Sequence, residues 1–322
     1  MKFKSLLAGV PAAALLALCG PALAKDSDHD WSNIDILVLH WSQSSNPFFG
    51  PVNAGAEDAA EDQGVNIDIQ FGEEDPVVTS NILETAIANG VEAIALGIAD
   101  DDSYDDILCR ASQQGIVVVS MNIDDSKGRD GTCRLAFMGQ DFVTAGKALG
   151  ERMIAEHGIG AGDLVFTPVE APEGTYAVLR HQGVAEAMAE VGATTEMLAT
   201  TNDHGTALNL MTQYLLGHPD TKAVIGLGQT PTSQAGQAIR DAGLDIPAGG
   251  FDISESILAD IRDGVLTAAV DQQPYSQGYY AVTQAALAVK YGLYPSEMDT
   301  GGIGLVDKTN FGAAVEWSGR VR

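Results

Sequence analysis

The stretch IDILVLHWSQSSNPFF (34–49) decides the fold. Its first half is a short, almost wholly apolar run rich in branched side chains, the pattern of a strand buried on both faces of a parallel sheet. Its second half is a polar loop ending in Asn46-Pro47-Phe48-Phe49, followed by Gly50-Pro51 and a helical pattern. In an open α/β sheet, ligands sit beyond the carboxyl ends of the strands, so this loop is expected to face a pocket. Two adjacent phenylalanines in a loop are costly to leave in water. They either plug a domain core or offer the kind of aromatic face on which the C–H face of a sugar ring packs.

Outward from this stretch the same pattern repeats. Residues 51–63 read as an alanine-rich helix with proline in its first turn. Strands are expected at 65–71, 93–96, 116–121 and 134–138, with helices at 77–89 and 104–114, ended by Gly90 and Gly115. The alternation then begins again. Helices are expected at 143–157, 179–191, 206–216, 232–242, 254–263 and 277–291, with strands at 163–167, 196–199, 223–227, 248–251 and 268–271. Repeated strand–helix units with short glycine-marked turns build parallel sheets with right-handed crossovers. Two such runs in 322 residues predict an α/β chain of two doubly wound, Rossmann-like parallel-sheet domains. No low-complexity linker separates them, so the junction near 139–141 is expected to be a short hinge.

Residues 1–24 carry Lys2 and Lys4, an apolar run and Ala22-Leu23-Ala24, the pattern of a signal peptide cleaved after Ala24. Cys19 raises lipid attachment, but Leu18 before it is bulky where such signals want a small residue. Residues 25–33 are charged and polar and are expected to be disordered. No later segment approaches a membrane span, so a soluble chain exported to the periplasm is expected.

The net charge is −27, and the first 24 residues hold two lysines and no acid, so the remainder is more acidic still. Such a charge repels nucleic acid and anionic membranes and excludes them as partners. It also suits concentrated salt, where screening shortens the range of self-repulsion. Two cysteines follow the signal, Cys109 and Cys133. In an oxidising compartment they form a disulfide; the alternative is two separate thiols.

The motifs of several chemistries are missing. The first strand–turn–helix lacks G-x-G-x-x-G, and Gly226-Leu227-Gly228 is followed by Gln229-Thr230-Pro231, which cradles no phosphate. There is no phosphate-binding loop, no H-E-x-x-H and no G-x-S-x-G. The six histidines, among them His29, His157, His204 and His218, lack metal-ligand spacing. The acidic runs 73–75 and 100–102 lack the spacing of a calcium loop and read as solvated loops. Neither an enzyme nor a cofactor or metal is expected.

Several stretches together resemble the periplasmic sugar-binding proteins of ABC uptake systems, of the ribose- and galactose-binding type. NPFF (46–49), AIANGVEAIALGIADD (86–101), GIVVVSMNID (115–124), LNLMTQYLLGHPDTKAVIGLG (208–228), GGFDIS (249–254) and DGVLTAAVDQQPYSQGYYA (263–281) follow in that family's order. The resemblance spans about 34–311. It implies the type I periplasmic binding protein fold, with one lobe at 34–138 plus 273–300 and the other at 141–270 plus 301–322. Three crossings would join the lobes, and ligand would bind between them.

Carried over by position, the resemblance places Phe48 and Phe49 on the sugar ring and Asn46 on a hydroxyl. Arg180 in LRHQG would fork onto hydroxyls, and Asp252 and Gln272 would take further hydroxyls. Each has a plainer alternative: Asp252 as a cap for the helix near Ser254, Arg180 as a surface ion pair. The chain departs from the ribose pattern after the fourth strand, with Asn122-Ile123-Asp124 for Asp-Arg, and after the eighth, with Leu227-Gly228-Gln229 for Gln-Asn-Asp. It also has Asn202 or Asp203 where a second-lobe aromatic is expected, while Trp41 either replaces aromatic surface or packs under its loop. The ligand site expected from sequence is therefore Trp41, Asn46, Phe48, Phe49, Asn122, Asp124, Arg180, Asn202, Asp252 and Gln272. The function implied is capture of a sugar or polyol by a monomer and delivery to an ABC permease. A receptor of the same fold that presents a small signal molecule to a membrane sensor is the alternative.

Overall fold

The computed structural model describes Trp31–Arg322. The expected signal peptide at 1–24, with Cys19, and residues 25–30 lie outside the described residues. The tail expected to be disordered up to Asn33 is ordered in its last three residues, Trp31–Asn33, a single 3-10 turn. The reason is Trp31, whose indole packs on the first core and meets the Tyr291 ring edge-on at 5.8 Å.

The chain runs through β1 (Asp35–His40), α1 (Phe49–Gln63), β2 (Asn66–Phe71), α2 (Pro76–Asn89), β3 (Ala93–Leu96), α3 (Asp105–Gln113), β4 (Val117–Asn122), α4 (Arg129–Thr132) and β5 (Phe137–Gly139). It continues through α5 (Phe142–His157), β6 (Leu164–Val169), α6 (Thr175–Glu190), β7 (Thr194–Ala199), α7 (His204–Gly217), β8 (Thr221–Gly226), α8 (Gln229–Asp241), β9 (Ala248–Phe251), α9 (Glu255–Asp263) and β10 (Leu266–Val270). It closes with α10 (Pro274–Tyr291), β11 (Met298–Asp299), β12 (Leu305–Asp307) and α11 (Phe311–Trp317).

Among the described residues these strands form two six-stranded sheets, ordered β11-β5-β4-β3-β1-β2 and β12-β10-β9-β8-β6-β7. Strand β1 shows why the first sheet is covered on both sides. Ile36 and Val38 pack with Val52 and Ala56 of α1 and with Ala281 and Ala285 of α10. Leu37 and Leu39 point the other way, against Leu83 of α2 and Leu108 of α3. Alternate residues of one strand thus fill two cores, each buried side chain contributing about 1.5–3 kcal/mol.

Three segments cross between the lobes: 140–141 after β5, 271–273 after β10, and 300–304 after β11. The ladders of the first sheet are parallel throughout, but β12 pairs antiparallel with β10. The parallel strands of each sheet end at the crossings, so a strand that starts from a crossing must run the opposite way. The second and third crossings are tied together where Thr300 Oγ1 donates to the Gln272 carbonyl (3.1 Å). Arg322 pairs with Asp271 at 3.0 Å, anchoring the chain end to the second crossing.

Helix pairs flank each sheet at close range. A Cβ on Gly278 of α10 would lie 2.0 Å from the Val52 carbonyl oxygen of α1, and one on Gly183 of α6 2.1 Å from that of Val143 in α5. Helix backbones touch at these points, which only glycine permits. Helices α6 and α8 each begin earlier than their apolar periodicity indicates, at Thr175 and Gln229, because their first turns face the space between the lobes and carry polar residues.

Beneath the loop after β1, His40 is 1 % exposed, held by Phe49 and Phe71 at ring distances of 4.5 and 4.9 Å. Its Nε2 donates to Asn53 Oδ1 at 2.6 Å, since that oxygen can only accept. Burial lowers its pKa from 6.5 to about 4. The folded protein therefore refuses a proton that the unfolded chain accepts below pH 6.5, and stability falls as pH drops from 6.5 towards 4. We expect His40 to remove about 2 kcal/mol of stability between pH 7 and pH 5. Denaturant titrations of wild type and His40→Gln across this range check it; equal pH slopes would show that the imidazole is not responsible.

Candidate functional site

The carboxyl ends of both sheets face one cavity of about 580 Å³. Its first-lobe wall comes from the loops after β1, β2, β3 and β4, and its second-lobe wall from the loops after β6, β7, β8 and β9 with the first turns of α6 and α8. Nine of the ten ligand-site residues expected from sequence line it: Trp41, Asn46, Phe48, Phe49, Asn122, Arg180, Asn202, Asp252 and Gln272.

Asp124 does not. Its Oδ1 accepts from Arg134 Nε (2.7 Å) and Ser120 Oγ (2.7 Å), and Arg134 Nη2 binds the other oxygen. The guanidinium is almost fully buried and bridges onward to Glu297 at 2.8 Å. This carboxylate is consumed in tying β4 to the segment before β5, which corrects its assignment to the ligand.

Phe49 also differs from its expected role. It is 1 % exposed at the start of α1 and sits edge-on beneath Phe48, with ring centroids 5.2 Å apart. Both rings line the cavity, but Phe48 is the more exposed of the two, and Phe49 supports it from the core. Asn46 shapes the same loop as an Asx turn: its Oδ1 accepts the Phe48 N–H and its Nδ2 donates to Ser42 Oγ, both at 3.1 Å.

A chain of hydrogen bonds crosses the hinge below the cavity. Trp41 Nε1 donates to Asn122 Oδ1 (2.9 Å), and Asn122 Nδ2 to Gln277 Oε1 (3.2 Å). Gln277 Nε2 reaches both the side-chain and carbonyl oxygens of Gln272. Gln272 Nε2 donates to Asp252 Oδ1 (2.5 Å), whose Oδ2 faces Arg180 Nη1 at 3.4 Å. Arg180 Nη1 also donates to the Leu227 carbonyl (2.9 Å), while its Nε is buried without a partner.

Local backbone geometry marks two of these positions. Asn122 (φ 66°) and Asp252 (φ 71°) both lie in the left-handed region at the carboxyl end of a strand. Asn and Asp tolerate it better than other residues with a Cβ, and such strain clusters where a side chain must be aimed. Asp252 does not cap the next helix; Ser254 does, accepting the Ile257 N–H. Nor is Arg180 a surface ion pair. It is 3 % exposed, its guanidinium 4.5, 4.8 and 5.3 Å from the rings of Phe251, Phe142 and Tyr176.

Sequence reasoning missed Glu170 and Tyr176, which line the second-lobe wall together. Glu170 Oε1 accepts the Thr230 N–H at the start of α8 (2.9 Å), and its Oε2 accepts from Tyr176 Oη (3.3 Å). Burial and the nearby Asp252 push the Glu170 carboxyl above its ordinary range, against the pull of Thr230 and Arg180. Burial beside Glu170 likewise raises the Tyr176 phenol, keeping it a donor. Phe142 and Tyr176 give the second lobe the aromatic surface that the sequence reading expects to be lost. The available signal was Gly174-Thr175, a helix start ahead of the apolar run. Cys109 of α3 and Cys133 after α4 are bonded as a disulfide, Cα atoms 4.9 Å apart, and neither lines the cavity.

Residues 37–292 match the family model described as a periplasmic binding protein domain. The chain is similar to the ribose import binding protein of Bacillus subtilis, 27 % identical over 281 residues that cover 86 % of this chain and 90 % of that one. It is also similar to the xylose/arabinose-binding protein of Sulfolobus acidocaldarius, 27 % identical over 277 residues, 80 % of this chain and 67 % of that one. A carbohydrate transporter from Acidothermus cellulolyticus, crystallised with myo-inositol, superposes with a TM-score of 0.78 at 25 % identity, covering 89 % of this chain and 98 % of that one.

Proposed function

Because the chain belongs to the periplasmic binding protein domain family, we propose that it captures a sugar or polyol between its two lobes and delivers it to an ABC permease. The lobes of this reading are 34–138 plus 273–300 and 141–270 plus 301–322, working as an exported monomer in the periplasm. The observation that carries it is the composition of the cavity. Aromatic faces from Phe48 and Trp41 stand opposite Tyr176, with the guanidinium, carboxylate and amide of Arg180, Asp252 and Gln272 at the hinge end. A polyol presents adjacent hydroxyls, each donor and acceptor, above apolar C–H faces; a closing cleft must satisfy both kinds of surface once water has left.

In this reading ligand bridges the walls and favours the closed arrangement, so binding shifts the population of a hinge equilibrium. A few satisfied polar anchors on an aromatic platform correspond to a Kd near ~1 μM, about 8 kcal/mol. No bond is made or broken. A thermal-shift panel of pentoses, hexoses, inositols and open-chain polyols, with nicotinamide cofactors alongside, tests it. A rise of Tm with one carbohydrate is the expected result, because a ligand bound to the native state must stabilise it. A rise with a nicotinamide cofactor alone would sink the reading.

A further inference from the structure

The charged groups lining the cavity are unevenly matched. Glu74, Asp75, Asp100, Glu170 and Asp252 bring carboxylates, against the single guanidinium of Arg180 and the imidazole of His204. Arg180 is already engaged by Asp252 and the Leu227 carbonyl. Asp75 caps α2 and Asp100 accepts N–H groups of its own loop. Glu170 is different. It stands on the inner wall, with Gly228 leaving just the room its carboxyl occupies, since a Cβ there would lie 2.0 Å from Glu170 Oε2. No cation among the described residues pairs with it within 4 Å, and its two hydrogen-bond donors, Thr230 N–H and Tyr176 Oη, are both neutral.

Resting on the sugar-binding reading above, we propose that Glu170 selects ligands by charge: the site takes neutral or ammonium-bearing polyols and excludes the sugar acids and sugar phosphates of the same skeleton. The argument is one of donors and acceptors. Burial makes Glu170 give up its proton at higher pH than an ordinary glutamate; once ionised it offers lone pairs and no proton, so it meets hydroxyls or an ammonium well and another anion badly. In a closed, dry cleft, a like-charge approach is barely screened and weakens binding by about 100-fold. The helix start it caps cannot itself explain the charge, because an amide oxygen accepts the Thr230 N–H equally.

That difference provides the test. Isothermal titration of the full exported chain would compare D-galactose with D-galacturonate and D-galactosamine, D-xylose with D-xylonate, and myo-inositol with myo-inositol 1-phosphate. In wild type, the anionic member of a binding pair should be weaker by about 100-fold, the neutral and ammonium members remaining the ligands. In Glu170→Gln, which keeps the acceptor for Thr230, that ratio should shrink by about tenfold or more. An unchanged ratio in the variant, or equal affinities in wild type, would overturn the assignment while leaving the sugar reading intact. If no member of any pair binds, the sugar reading fails and the assignment with it. Should the variant not fold, the wild-type ratio still decides.

Discussion

Arg180→Ala should weaken the cognate ligand by about 100-fold or more and also lower the stability of the free protein. The guanidinium is 3 % exposed and closes the hydrogen-bonded chain that runs from Trp41 through Asn122, Gln277, Gln272 and Asp252. Truncation removes a donor from the cavity wall and leaves Asp252, 7 % exposed, with Gln272 as its remaining side-chain partner. Leaving one member of a buried pair without the other costs about 3–5 kcal/mol. It also empties the space between the rings of Phe251, Phe142 and Tyr176. Arg180→Lys should recover little, because an ammonium on a flexible stem cannot lie flat between rings. Titration calorimetry and thermal melts of both variants decide it. An affinity within twofold of wild type would remove the guanidinium from the site.

Breaking the Cys109–Cys133 disulfide should lower stability by about 3 kcal/mol and leave ligand affinity in place. The bridge closes a separation of 24 residues, for which loop-closure entropy in the unfolded chain is about 3.5 kcal/mol. It ties α3 to the turn after α4, just before β5 and the first crossing. For a chain of this size the loss corresponds to roughly 5 °C in Tm. Melts of wild type with and without a reductant, and of the Cys109→Ser, Cys133→Ser double variant, read it directly. A melt indifferent to reductant would mean that the segment is already constrained when unfolded. A fall in affinity would mean that the bridge holds the cavity wall as well as the lobe.

The repeat of strands and helices was legible because each element buries a fixed face, and the period of the apolar residues records that face. The unbroken apolar run of β1 told of a strand buried on both faces, and two runs of strand–helix units told of two sheets. Loop positions at strand ends were legible for a related reason: topology places every carboxyl end of a parallel sheet on one edge, so Asn46, Phe48 and Asn122 had to gather at one edge and Asp252 and Gln272 at another, and the resemblance implied that the two edges meet across a cleft.

What the sequence did not reveal was how polar groups at that edge pair. Asp124 stands two residues from Asn122, yet it is taken by Arg134, which folds back against it, while Asn122 turns to Trp41 and Gln277. Phe48 and Phe49 are adjacent and identical and both line the cavity, and only the register of α1 buries Phe49 in the core and leaves Phe48 the more exposed ring. Glu170 and Tyr176 sit in polar stretches with no periodicity to read, and the start of α6 brings them to the wall. The sequence by itself determined the two lobes and the edge where a ligand meets them, because hydrophobic burial is periodic along the chain. Only the tertiary structure decided which side chains there face the cavity and how its carboxylates are partnered, because ion pairs and hydrogen bonds depend on distances across the fold that no local pattern encodes.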